Sequence, residues 1–222
     1  MKQEIAPARP VRILAISDRI EESFYGPLLN ERYGDADLVI SCGDLPAEYL
    51  DFVASSVNAP LFGVRGNHDC PPDHVVVAHD AAIPGGLNLH GRVLRVAGLT
   101  LAGLEGSLRY NRSGCQYSET EMRLLIARMT PHLLWNRLRY GRYLDIFVTH
   151  APPRGIQDAD DPAHRGFAAF RDFLTRFRPR YHLHGHVHIY DPRTETKTRF
   201  HETVVLNVYG HREVMISNDE LR

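Results

Sequence analysis

The sequence predicts an α/β fold, and three observations point to it. Short apolar runs alternate with stretches of helical periodicity along most of the chain. Several of those runs are apolar almost throughout, as strands covered on both faces are. Each run gives way at its end to small or polar residues of the kind that line a site at a sheet edge. With 222 residues, 43% of them apolar, the chain can bury one large core. Positions 1–222 therefore read as a single domain, with residues 1–10, polar and proline-containing, as a flexible arm.

In chain order, Val11–Ser17 (VRILAIS), Asp37–Cys42 (DLVISC), Pro60–Arg65 (PLFGVR), Leu144–Thr149 (LDIFVT) and Arg180–His184 (RYHLH) read as strands. Two further runs between Arg92 and Leu104 meet at Ala97-Gly98 and predict a hairpin. Thr203–Val208 and Glu213–Ser217 predict another, turning at Tyr209-Gly210. Helical patterns cover Ala47–Val57 and Glu119–Arg139, the latter interrupted by Pro131. A third covers Pro162–Arg178, with Asp161 as N-cap and Pro162 in the first helical position. Its stripe of Phe167, Phe170, Phe173, Leu174 and Phe177 belongs in a core.

The formal net charge is −1, which argues against a partner made of long nucleic acid, since such binding takes many cationic contacts to phosphates. All but Lys2 and Lys197 of the 26 basic residues are arginine, a bias that codon usage accounts for. Cys42, Cys70 and Cys115 form neither a disulfide framework nor a CxxC pair, which fits a reducing compartment and a cytoplasmic protein. No run approaches the ~18 apolar residues that span a membrane, so no membrane partner is expected. Oligomeric state leaves no mark in the sequence.

The strand ends carry the chemistry. They read Ser17-Asp18, Gly43-Asp44, Gly66-Asn67-His68-Asp69, Thr149-His150 and Gly185-His186-Val187-His188. Ligand sites in α/β sheets form outside the carboxyl ends of strands, so five distant pieces of sequence converge on one place. Carboxylate, imidazole and amide oxygen together suit Mn²⁺, Fe or Zn²⁺. Across the turn that Gly185 permits, His186 and His188 can face one pocket on different ions.

In this order the motifs resemble the calcineurin-like metallophosphoesterase superfamily, in particular its small bacterial phosphodiesterase-like branch. That family's DxH, GD, GNH(D/E), strand-end histidine and GHxH appear as Asp18-Arg19-Ile20, Gly43-Asp44, Gly66-Asn67-His68-Asp69, His150 in VTHAPP, and Gly185-His186-Val187-His188. The match runs from about Val11 to His188. The resemblance implies a four-layer αββα sandwich with one or two divalent ions at one edge, Mn²⁺ favoured and Fe, Ni or Zn compatible. It implies that Asp44 bridges two ions, that Asn67, His150 and His186 complete the second site, and that Asp18 and His188 belong to the first. It gives His68 the role of general acid, with Glu48 or Asp69 to orient it.

The implied activity is hydrolysis of a phosphoester by a metal-activated hydroxide, with a small phosphodiester or nucleotide as substrate. A nuclease acting on short single strands and a non-catalytic metal-binding scaffold are the competing readings. The scaffold reading arises from a departure: where motif one has a histidine ligand, this chain has Ile20. Glu21 or Glu22 is either a replacement ligand or a solvated residue of a helix start. Asp158 and His164, in APPRGIQDADDPAHRGF, resemble family elements and are candidates to support ligands or touch substrate, or else form a helix entry. Finally, Ser107–Arg142 carries seven arginines against Glu119 and Glu121. It is expected either as a phosphate-binding cover over the site or as a solvated helical surface.

Overall fold

The computed structural model describes residues 9–70, 83–111 and 114–217. In the first sheet, β1 (Val11–Ser17), β2 (Leu38–Ser41), β3 (Leu61–Gly63) and β4 (Gly86–Asn88) run parallel, and β13 (Gly210–Ile216) joins β1 antiparallel. In the second, β12 (Thr203–Asn207), β10 (Tyr181–His184), β9 (Ile146–Thr149) and β6 (Leu99–Leu104) are parallel. Its antiparallel edges are β11 (Lys197–Phe200) and β5 (Val93–Val96). A small pair, β7 (Ser107–Leu108) and β8 (Gln116–Tyr117), stands apart.

Strand alternation explains the layering. Val11, Ile13 and Ala15 of β1 pack with Leu101, Ile146, Val148 and Leu183, forming the core between the sheets. Leu14 and Ile16 face the other way, into a core shared with α1 (Leu28–Tyr33) and α2 (Ala47–Val57). Beyond the second sheet, Phe147 meets α3 (Glu119–Tyr140) and α4 (Ala168–Phe177), its ring stacked 4.0 Å from Phe173. The result is helix, sheet, sheet, helix. The Phe stripe of α4 is buried. Removing one such ring costs about 3–5 kcal/mol.

The hairpin at Ala97-Gly98 forms, both residues being left-handed (φ 48° and 78°) as a tight two-residue turn demands. The C-terminal hairpin does not. β12 and β13 lie in different sheets, and Tyr209 carries the chain from one to the other. The true hairpin is β11–β12, turning at His201-Glu202. Pro131 does not break α3: it lies on the exposed side of the helix.

α4 also begins later than expected. Asp161 accepts from the amides of Ala163 and His164, closing a separate turn. The first free amides of α4, those of Ala168 and Ala169, donate to the carboxylate of Glu119, the first residue of α3.

Cys70 and Cys115 form a disulfide, their Cα atoms 5.7 Å apart, which overturns the expectation of unpaired cysteines. The reducing-compartment reading loses that support. Cys42 is free and buried. Among the described residues no helix is long and apolar enough to cross a membrane. The expected N-terminal arm lies outside the described residues except for Arg9 and Pro10, and Arg9 is tied to Asp37 at 2.9 Å.

Candidate metal centre

Three strands of the first sheet and two of the second end on the same edge, and their loops meet across the seam between the sheets. The turns are tight. Asp18, Asp44 and His186 all sit in the left-handed region, at φ 62°, 55° and 67°. Non-glycine residues adopt it seldom, and such strain concentrates at functional sites. The loops also touch. A Cβ on Gly66 would strike the Asp44 carboxylate, and one on Gly185 would strike the side chains of Ser17 and Asp18. The glycines of GNH and GHxH are therefore needed for backbone to approach side chain.

At the centre is His150, fully buried. Its Nδ1–H donates to the Cys42 carbonyl at 2.8 Å, which directs Nε2 into the site. Around Nε2 stand Asn67 Oδ1 at 3.0 Å, His186 Nδ1 at 3.1 Å and Asp44 Oδ2 at 3.3 Å. His186 is aimed in the same way: its Nε2–H donates to the Ala163 carbonyl at 2.7 Å and leaves the Nδ1 lone pair bare. Asp18 accepts from the His186 amide at 3.0 and 3.1 Å. His188, on the exposed side, holds Nε2 3.8 Å from Asp18 Oδ1, and its Nδ1 meets the Tyr190 hydroxyl at 3.0 Å.

The charges are tightly coupled. Burial alone would lower His150, but the charge and hydrogen bond of Asp44 override it and raise the imidazole to about 9. Burial would raise Asp44, yet His150 holds it down at about 2. Burial pushes His186 down to about 3 and raises Asp18.

These residues fit a divalent ion. Ligand atoms of Asp18, Asp44 and His150 lie within 4.8 Å of one another. Two imidazoles are each oriented through the far nitrogen by a backbone carbonyl, the usual outer shell of metal-bound histidine. The mixed oxygen and nitrogen donors suit Mn²⁺, Fe or Zn²⁺. One grouping comprises Asp44, Asn67, His150 and His186; the other has Asp18 and His188 beside the shared Asp44.

Ile20 points outward and is partly exposed. Glu21 is engaged elsewhere: it pairs with Arg19 at 2.7 Å and with His211 at 3.3 Å. Glu22 begins a short 3-10 turn and is exposed.

The supporting candidates divide. The His68 amide donates to Asp44 Oδ1 at 2.9 Å, while its exposed ring has no hydrogen-bond partner among the described residues. Glu48 is exposed on α2 and forms no hydrogen bond or ion pair with that ring among the described residues. Asp69 accepts from the amides of Gly66 and Asp44 at 2.7 and 2.8 Å. It braces the two motif turns and does not orient His68. Asp158 accepts from Gly155 and Gly166 and shapes its own loop. His164 does reach the centre, its ring 5.2 Å from that of His186.

Tyr110, noticeable in the sequence only as one aromatic residue of the Arg-rich segment, reaches the centre: its hydroxyl accepts from Asn67 Nδ2 at 3.3 Å. Behind it, Arg65 pairs with Glu105 at 2.8 Å in a buried contact, and the Tyr117 hydroxyl donates to the same carboxylate at 2.6 Å. The Arg-rich segment divides: its start reaches the centre through Tyr110, Arg112 lies outside the described residues, and its Arg137–Arg142 end is no cover. Arg137 bonds the Gly141 carbonyl and lines a cleft with Tyr143, Arg178 and Glu202. Arg139 lies over Tyr140. This end of α3 sits beside Asp145, just before β9, and so at the edge of the sheet opposite His150.

A family model described as calcineurin-like phosphoesterase matches residues 12–190. One solved crystal structure is similar at 15% identity and a TM-score of 0.64, covering 93% of this chain and 95% of that one. TT1561 of Thermus thermophilus is similar at 16% identity and a TM-score of 0.57, with 90% of each chain covered. Vacuolar Protein Sorting 29 from Cryptosporidium parvum is similar at 13% identity and a TM-score of 0.45, covering 91% of this chain and 75% of that one. No curated protein matches the sequence. With its motif loops gathered at one edge of an αββα sandwich and most of its length matched, the chain belongs to the calcineurin-like phosphoesterase family.

Proposed function

We propose that the protein hydrolyses small phosphodiesters or nucleotides with one or two divalent ions held by Asp18, Asp44, Asn67, His150, His186 and His188. One observation carries this reading: three acceptors ring His150 Nε2 at 3.0 to 3.3 Å, an arrangement that a cation satisfies. A bound divalent ion supplies Lewis acidity there, lowering the pKa of water and neutralising charge on the phosphoryl oxygens.

The chain's own residues do the rest. The carbonyls of Cys42 and Ala163 aim the two imidazoles, and Asp69 holds the Asp44 and Gly66 turns together. His68 stands beside Asp44 with its ring in solvent, placed to give a proton to a departing oxygen. A diester is favoured over a monoester by charge. Arg19 and Arg65, beside the first and third motifs, are paired with Glu21 and Glu105, so neither is free to clamp a dianionic phosphate.

The test is a hydrolysis screen of metal-stripped protein reloaded with Mn²⁺, Ni²⁺, Fe²⁺ or Zn²⁺. Its substrates are bis-p-nitrophenyl phosphate, p-nitrophenyl phosphate and cyclic nucleotides. Metal-dependent turnover of the diesters above the monoester is the expected result. Tight metal binding with no turnover of any of them turns the reading toward a scaffold. A steep fall of activity with salt on oligonucleotides points to a nuclease.

A further inference from the structure

We infer that the Cys70–Cys115 disulfide is the positioning element for His68, so that its reduction by a dithiol lowers the protein's turnover. The inference rests on the phosphoesterase reading of the same site.

His68 needs such an element. Among the described residues no carboxylate accepts from its ring, and His68 itself is anchored toward the ions by the amide bond to Asp44. Two residues further on, Cys70 is bonded to Cys115, 45 positions away in sequence. Cys115 belongs to a strap that is itself fixed. Its carbonyl accepts from the Ser107 amide at 3.1 Å, and Gly106 donates to the Arg65 carbonyl at 2.9 Å. Glu105 accepts from Arg65, and the Tyr117 hydroxyl donates to the same carboxylate, so the strap's two ends meet at Glu105. Within it, Tyr110 receives the Asn67 side chain.

The third-motif loop is thus pinned to the strap at three places: before it by Arg65–Glu105, within it by Asn67–Tyr110 and after it by the disulfide. Of these three, the disulfide alone follows His68, beyond Asp69, whose carboxylate is held by the Gly66 and Asp44 amides. Both cysteines are partly exposed, so a thiol can reach them.

The chemistry balances. A dithiol reductant gives two electrons and two protons, the S–S bond breaks, Cys70 and Cys115 become thiols, and the reductant leaves as its own disulfide. The Asp44 and Asp69 bonds then still hold the loop to its own motif turns, but among the described residues nothing after His68 ties it to the strap. A misplacement of about 1 Å costs up to roughly 10²-fold in rate.

The experiment uses the full chain purified without reductant. Denatured but unreduced, it should titrate one thiol, Cys42, and three after reduction; three at the outset would overturn the proposal. Metal content should be equal in both states. Reduction should lower kcat roughly 10- to 100-fold on a cyclic nucleotide, whose leaving oxygen is an alkoxide, and little on bis-p-nitrophenyl phosphate, whose leaving group needs no proton. Cys115→Ser should reproduce the reduced state.

Equal rates before and after reduction, or an equal fall on both substrates, would overturn it. Hydrogen exchange at the His68 amide is an independent readout. If neither state turns over either substrate, the phosphoesterase reading fails. Faster exchange on reduction then still supports the positioning role, and unchanged exchange overturns it.

Discussion

His186 Nδ1 lies 3.1 Å from His150 Nε2, each ring held by a carbonyl behind it. Two bare nitrogens cannot face each other at that distance without a cation or a proton between them. In metal-stripped protein the proton belongs to His150, which the Asp44 charge raises to about 9 against the effect of burial. Loading a divalent ion at pH 7 should therefore release about one proton, falling to none as the pH passes 9 to 10. Calorimetric titration in buffers of different ionisation enthalpy measures this. No release at pH 7 would mean that His150 is neutral before the ion arrives.

Occupancy should be unequal. The grouping around His150 sets three further donors within 3.3 Å of its Nε2, whereas Asp18 and His188 stand 3.8 Å apart with Ile20 exposed and Glu21 held by Arg19 and His211. A Mn²⁺ titration followed by electron paramagnetic resonance should resolve one tight and one weak ion. Ile20→His should tighten the weak one about 10- to 100-fold, the scale on which a single ligand-sphere residue acts. Two equally tight ions in the unaltered protein would overturn this.

What the sequence made legible was whatever is local. Strands buried on both faces announce themselves as unbroken apolar runs, and Ser17-Asp18 or Gly66-Asn67-His68 announce the loops that follow. Pairings between distant positions leave no such trace. Nothing near Glu119 indicates that it caps α4, nothing at Cys70 indicates Cys115, and Tyr110 looks like any aromatic residue in a polar stretch. The passage of Tyr209 from one sheet to the other reads locally like a hairpin, because the same alternation and turn residues serve both. Composition likewise marked the Arg-rich segment without saying at which edge of a sheet it lies.

For the far end of that segment the expectation reverses. Arg137 and Arg139 sit at the edge opposite the metal centre, so Arg137→Ala and Arg139→Ala should leave both KM and kcat within about twofold. A raised KM in steady-state assays would show that the substrate extends around the molecule to α3.

Acid should weaken the fold through a histidine with no place among the ligands. Burial pushes His184 down to about 4. A depressed histidine takes its proton in the unfolded chain near 6.5 and in the fold only near 4. Its contribution is thus full above 6.5 and shrinks as the pH falls toward 4, by roughly 3 kcal/mol in all. His182, also buried, shifts in the same direction. Thermal melts from pH 8 to 4 should show Tm falling through this window, with a shallower slope in His184→Gln whatever its absolute stability.

His68 should matter to chemistry and not to structure. Its ring is exposed and forms no hydrogen bond among the described residues, so His68→Ala should keep its fold and its metal content. As a general acid it should contribute roughly 10²–10⁴-fold to rate, and only where the leaving oxygen needs a proton. Nitrophenolate departs readily without one, so bis-p-nitrophenyl phosphate should lose little, whereas a cyclic nucleotide, expelling an alkoxide, should show the full loss. Parallel kcat measurements on the two substrates decide the matter. Equal losses would assign His68 to holding the phosphoryl group, and loss of bound metal would make it a ligand. Neither is expected: its one bond to the centre, from its amide to Asp44, survives the substitution.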